Sequence, residues 1–185
     1  MGIGKSFLLS LVAFVGLNFI FSLLYFLIDL GPLGPGFNDL MDTIQNTPLM
    51  IFFYLFGSIT SIPSQNIDMV IVQPLLPPTE LSFLIMGLGF IIAPLIASIL
   101  AGKFAESKTQ GFAGWLLTVI VSAGTTIAIV FIEDILGFTR FHTELLTLYG
   151  WVSTDLILIF VLISAVINII FYGFFALLTS KTEYY

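Results

Sequence analysis

The residues of this chain that could do chemistry fall into two small sets. The first surrounds its single histidine, His142, in the run Phe138-Thr139-Arg140-Phe141-His142-Thr143-Glu144. Glu133-Asp134 precede that run and Asp155 follows it. An imidazole with convergent carboxylates is the donor set of a cation site or an acid–base pair. The same residues also read as a solvated loop with a local Arg140–Glu144 pair, whose acids attract divalent cations without holding one specifically. The loop reading is adopted, so no catalytic, cofactor-binding or metal-binding residue is assigned and no cofactor is expected.

The second set is Asn18 and Asn168, each inside a long apolar stretch. An amide in lipid seeks a partner on a neighbouring helix, although measured pairs are worth only about 0.6 kcal/mol. The functional reading is a polar patch along a solute path; the packing reading, adopted here, is glue between helices. The two amides are expected to face each other across adjacent antiparallel helices. The apolar stretches that carry them contain no Asp, Glu, Lys, Arg or His, which removes the usual mark of a proton relay or ion carrier.

These residues must be positioned by apolar elements. The chain has 185 residues, 58% of them hydrophobic and 9% charged, with a mean hydropathy of +1.13. A soluble domain carries about 25% charged residues, so too few charges are present to coat a globule. A net charge of −6 argues against a nucleic-acid surface, and the absence of cysteine excludes disulfides and thiolate chemistry. What remains is an all-α integral membrane protein, a single domain over residues 1–185.

Four stretches are long enough to cross a bilayer, at about 6–28, 81–102, 112–132 and 156–179; each offers roughly the 20 apolar residues that a hydrocarbon core of about 30 Å demands. The first is too long for a signal peptide and has no small-residue cleavage site before Gly31-Pro32. Gly34-Pro35-Gly36, Pro77-Pro78-Thr79-Glu80 and Ser153-Thr154-Asp155 punctuate the spans. Tyr25, Trp115, Trp151 and Tyr172 are placed near helix ends, where such rings favour the interface. With the N-terminus in the cytoplasm, Lys5, Lys103, Lys108 and Lys181 lie inside and only Arg140 outside, as the positive-inside rule requires. The expected location is thus the cell membrane, multi-pass, with both termini cytoplasmic.

The outer loop 29–80 is too long for a simple connection. Inside it runs Pro48-Leu49-Met50-Ile51-Phe52-Phe53-Tyr54-Leu55-Phe56, then Gly57 to Pro63. About 15 apolar residues make roughly 22 Å of helix, short of a span. The segment 48–63 is therefore read as a re-entrant or interfacial hydrophobic hairpin rather than a fifth crossing. Phe52, Phe53 and Phe56 are assigned to a covering partner or to lipid. Asn66 is expected in water, and Met69-Val70-Ile71-Val72 as a short extended piece.

Small residues at helical spacing, Ala93, Ala97 and Ala101 with Ser98 and Gly102, form a ridge that permits close helix approach. Gly111, Gly114 and Ser122-Ala123-Gly124 offer a matching one, so the second and third spans should form an antiparallel hairpin. Pro94 is expected to kink the second span. Met1-Gly2 with Ser6 fits a myristoylation pattern, but a helix begins at that point. Gly87 and Gly89 sit in an apolar helix and form no phosphate loop. No GxSxG, HExxH or Walker sequence and no internal repeat occurs.

The leading expectation is a non-enzymatic accessory or structural subunit of a larger membrane complex, with the lipid bilayer and other membrane subunits as partners and no nucleic acid. It rests on the lack of titratable groups in the spans, an apolar lid needing cover, and four helices too few to enclose a pathway. The alternative is a small homo-oligomeric channel or transporter in which 48–63 is a re-entrant pore segment. An intramembrane enzyme would need paired catalytic groups that the spans lack.

Overall fold

The computed structural model describes residues 2–27, 36–76, 81–150 and 154–181. The described residues are 88% helical and contain no strand. The elements are α1 (Gly2–Leu27), α2 (Phe37–Asn46), α3 (Met50–Phe56), α4 (Pro63–Ile71), α5 (Leu81–Lys103), α6 (Lys108–Leu136), α7 (Arg140–Leu148) and α8 (Thr154–Thr179). Four of these, α1, α5, α6 and α8, are long and apolar enough to cross a membrane, the architecture of a multi-pass helical membrane protein.

Local chemistry sets the helix limits. Ser107 caps α6, its Oγ accepting from Gln110 N at 3.3 Å, and Gly137 ends it with φ +72°, a left-handed conformation that glycine adopts without a Cβ penalty. Pro63 occupies the first position of α4, where its missing N–H is no loss. Ile62 N donates to Gln65 Oε1 at 3.2 Å and completes that start. The backbone of α5 runs as one helix through Pro94.

The long helices form a rhombus. The antiparallel pair α5 and α6 occupies the middle, and α1 and α8 pack on opposite sides of it. Lys5, Lys103, Lys108 and Lys181 gather at one end, where α1 begins, α5 turns into α6 and α8 stops. Asp39, Asp42, Asp68, Glu133, Asp134 and Glu144 lie toward the other, with Arg140.

The lysine half is closed by small side chains. Ser6 Oγ donates to Ala101 O at 2.6 Å and Thr118 Oγ1 to Ser10 Oγ at 2.9 Å. Gly102 lies against the Ala176 carbonyl, Gly111 against Ser180 and Gly102, and Gly114 against Ser6. Ala93, Ala97 and Ala101 are fully buried. Within this half Trp115 is sealed between Phe14 and Tyr172, its ring centroid 6.3 Å and 5.9 Å from theirs. The small-residue ridge therefore serves several neighbours, not the α5–α6 hairpin alone, and Gly124 faces open space.

The acidic half is wedged open by the stretch between α1 and α5. α3 inserts between α1 and α6, the turn after it reaches α5, α6 and α8, and α4 returns along α5 and α8. Loop 29–80 thus holds three helices rather than one short hairpin. Met69-Val70-Ile71 belong to α4 and are helical, not extended. The polar run 37–46 folds as α2 because Asp39 Oδ2 accepts from Gly36 N at 2.7 Å while Leu40 supplies the buried face. Asn66 is fully buried rather than in water. The punctuation at Gly31-Pro32, Gly34-Pro35, Pro77 to Glu80 and Ser153 lies outside the described residues, as do Ile28 and Trp151.

Contact between α4 and α5 depends on Gly87. A Cβ there would come within 2.8 Å of Met69 Cβ, closer than such atoms approach. Gly87→Leu should lower stability by about 1–3 kcal/mol, the usual cost of overpacking. Gly124→Leu, with nothing within 4 Å of the new Cβ, should leave the thermal midpoint in detergent unchanged.

Candidate functional site

The turn between α3 and α4 is the most deeply placed irregular backbone in the described chain. Gly57 to Ile59 form a single tight turn, and Ser58, Ile59, Thr60 and Ser61 have no exposed surface. Their carbonyls cannot reach water and need protein donors. Asn168, near the centre of α8, supplies them: its Nδ2 lies 2.8 Å from Ser61 O, 3.4 Å from Ile59 O and 2.9 Å from Ser164 O of its own helix. Tyr149 OH donates to Thr60 O at 2.6 Å, with its ring stacked on Phe160 at 5.3 Å. Burial pushes the Tyr149 phenol upward in pKa, which keeps the donor protonated.

A second amide holds the returning limb. Ser61 Oγ donates to Asn66 Oδ1 at 2.7 Å, and Asn66 Nδ2 reaches Phe90 O of α5 at 3.4 Å. Ser22 Oγ ties α1 to the descending limb through Tyr54 O at 3.2 Å. The hairpin is thus clasped by side chains of α1, α8 and Tyr149 just beyond α7, and tied to α5 through the Phe90 carbonyl. Two polar atoms at the clasp, Ser58 Oγ and Asn168 Oδ1, are buried with no hydrogen-bond partner.

This arrangement separates the two asparagines singled out by sequence. Asn18 donates to Phe14 O of its own helix at 2.8 Å, and α1 and α8 stand on opposite sides of the α5–α6 pair. The amides do not face each other: carbonyls freed at the hairpin turn lie nearer to Asn168 than another side chain does. The apolar segment is covered from within as well. Phe53 is 7% exposed and meets Tyr54, Phe90 and Phe141 edge-on at 6.1–6.3 Å, while Phe52 and Phe56 pack on the core at its margin. Phe53 faces neither a partner nor lipid.

The His142 region resolves into helix capping. Glu133, 1% exposed, accepts from Phe141 N at 2.9 Å and His142 N at 2.8 Å. It satisfies two of the orphan donors at the start of α7, a role that a loop reading of 138–144 does not contain. Arg140 pairs with Glu144 at 3.1 Å, an exposed i,i+4 pair of small energetic worth. Among the described residues no three His, Asp or Glu side chains converge; the Asp155 side chain is not among them.

Beside the hairpin a cleft opens at the acidic end, in three lobes that share Tyr25, Phe53 and Met86. One lobe, of about 450 Å³, carries Asp39, Asp42, Thr43, Tyr54, Arg140 and Glu144. A second, of about 610 Å³, is bordered by Gln65, Asp68, Gln73 and Glu144. A narrow third lobe of only about 30 Å³ is lined by Asn18, Ser22 and Phe90. Carboxylates stand at the mouth, rings form the waist, and one amide lies at the bottom. Sequence alone could not show this cleft, because its walls come from six helices.

Compared with known proteins, the chain matches no family, no curated protein and no solved structure.

Asn168→Leu removes every donor that reaches Ser61 O and Ile59 O and leaves those carbonyls buried. The expected cost is about 1–3 kcal/mol. Amide exchange should rise at 57–62 while α5 and α6 stay protected. Uniform loss of protection across the bundle would show that the amide supports the whole fold rather than the turn.

Proposed function

We propose that the chain is a small multi-pass transporter of solutes, seen with its binding cleft open toward the outside of the cell. The observation that carries this reading is the contrast between the two halves: a cleft descends from the acidic end to Asn18 and Phe90, while the lysine half is packed shut through Ser6, Ala101, Gly102 and Gly114. A solute site reachable from one side and sealed from the other is the requirement of alternating access, and such sites sit beside broken helices near mid-membrane.

On this reading the α3–α4 hairpin is a re-entrant segment. Irregular backbone at membrane depth is tolerated where protein covers it, which is what the Asn168 and Tyr149 clasp supplies. The four lysines at one end support cytoplasmic termini in a cell-membrane protein, so the acidic mouth faces out. No catalytic group enters the proposal, and the protein is read as non-enzymatic.

The accessory-subunit reading keeps one specific support. α8 presents Leu162, Val166, Ile170 and Phe174, all exposed, as a continuous apolar row that another membrane subunit would cover as well as lipid. Within the apolar segment at 48–56, in contrast, Met50 and Phe53 are buried by their own chain, and Phe52 and Phe56 are partly so.

Proteoliposomes loaded with buffer and offered a mixture of small metabolites should accumulate at least one component. Asp42→Cys should react with an impermeant maleimide in intact cells, and Ser107→Cys should not. Labelling at Ser107 would reverse the orientation. No accumulation, with a second membrane protein co-purifying in stoichiometric amount, would favour the accessory subunit.

A further inference from the structure

The chemistry of the cleft narrows the solute. Four carboxylates line its two wide lobes, Asp39, Asp42, Asp68 and Glu144, against the single guanidinium of Arg140. Three of them already have partners: Asp39 caps α2, Asp68 accepts from Gln73, and Glu144 pairs with Arg140. Asp42 makes no hydrogen bond or ion pair among the described residues and stands at the mouth with Tyr54. Below it the waist is built from Tyr25, Phe53 and Tyr54. Ring faces attract a cation that has lost its water, and that attraction is largest for ammonium groups carrying apolar substituents.

The narrow lobe supplies an observation independent of the acids. Asn18 is 3% exposed and lines this lobe. Its Nδ2 is committed to Phe14 O, whereas its Oδ1 accepts no hydrogen bond among the described residues. An acceptor left free on a side chain that is itself almost wholly buried and lines an aromatic passage fits a ligand that brings one donor. Anions are disfavoured by the carboxylates, and a bare metal ion would find rings in place of ligands at the waist.

Resting on the transporter reading above, we infer that the cleft binds a small substituted ammonium ion bearing a hydroxyl or N–H donor. The cation sits at the ring waist under Asp42, and the donor reaches Asn18 Oδ1 in the narrow lobe.

Three probes of matched size test this by calorimetric titration of the full chain in nanodiscs. Choline has the cation and the donor, tetramethylammonium has the cation alone, and 3,3-dimethylbutanol has the donor on an uncharged isostere. Choline should bind at least about tenfold tighter than 3,3-dimethylbutanol and severalfold tighter than tetramethylammonium. Asp42→Asn, at an exposed position, should weaken both cations severalfold and leave the alcohol unaffected. Asn18→Leu should erase the advantage of choline over tetramethylammonium, with the thermal midpoint read alongside to confirm folding. The wild-type comparison decides the matter even if that variant fails to fold. Equal binding of the alcohol and choline overturns the cation assignment while leaving a solute-binding cleft. Silence from all three overturns the assignment too, whereas the transporter reading fails only if no metabolite accumulates in proteoliposomes.

Discussion

Unwound backbone in the middle of an apolar bundle is the constraint that organises this molecule. A helix satisfies its own N–H and C=O groups, but a turn between two short helices frees several of them. In water the loss is made good by solvent; between α5, α6 and α8 it is not. The fully buried residues at 58–61 therefore fix where donors must stand. Asn168 on α8 and Tyr149 beyond α7 occupy those places, while Asn66 on the returning limb accepts from the Ser61 hydroxyl. Other buried hydroxyls of α6 do no such work: Ser122 and Thr126 each donate to a carbonyl one turn back on the same helix.

The hairpin also explains why the two halves of the bundle differ. In the lysine half the long helices meet through glycine, alanine and serine, close enough for hydroxyls of α1 to reach α5 and α6. In the acidic half two more helices must fit into the same cross-section, and α1 is held away from α6 by α3. Glycines again mark the tightest approaches, at Gly87 beside α4 and Gly89 beside Phe21 of α1. Packing six helical segments of unequal length around one turn leaves space at the open end, and that space is the cleft. Its polar mouth and aromatic waist follow from which ends of α2, α3 and α7 surround it.

Four spans were legible in the sequence because apolar length and charge-free composition are properties of a single segment. The short length of 48–63 was legible too, and with it the idea of a hairpin. Its cover was not: a run such as Met50 to Phe56 shows that burial is needed without showing against what. Asn18 and Asn168 were recognisable as polar groups in apolar surroundings, yet their partners are backbone carbonyls, which carry no signal in side-chain identity. α2 and α7 were hidden for a similar reason. Their sequences are polar, and their first turns are stabilised by Asp39 nearby and by Glu133 from another helix. A capping contact between α6 and α7 depends on the chain reversal at Gly137, not on the composition of either helix.

The clasp and the cleft share a wall, so residues that hold the turn also shape the cleft. Phe53 belongs to the core around Phe90 and Phe141 and also lines all three lobes of the cleft. Tyr54 gives its carbonyl to Ser22 while its ring faces the mouth beside Asp42. Any solute held at the waist therefore touches the descending limb of the hairpin. A ligand shifts a conformational equilibrium only through contacts that differ between the states, and α3 is where such a difference can arise: its movement would change both the shape of the waist and the depth of the turn. The Asn168 amide opposes that movement by holding Ser61 and Ile59. Two asparagines that do not touch are linked in this way through one hairpin, Asn18 at the narrow lobe of the cleft and Asn168 at the tip of the segment that walls it.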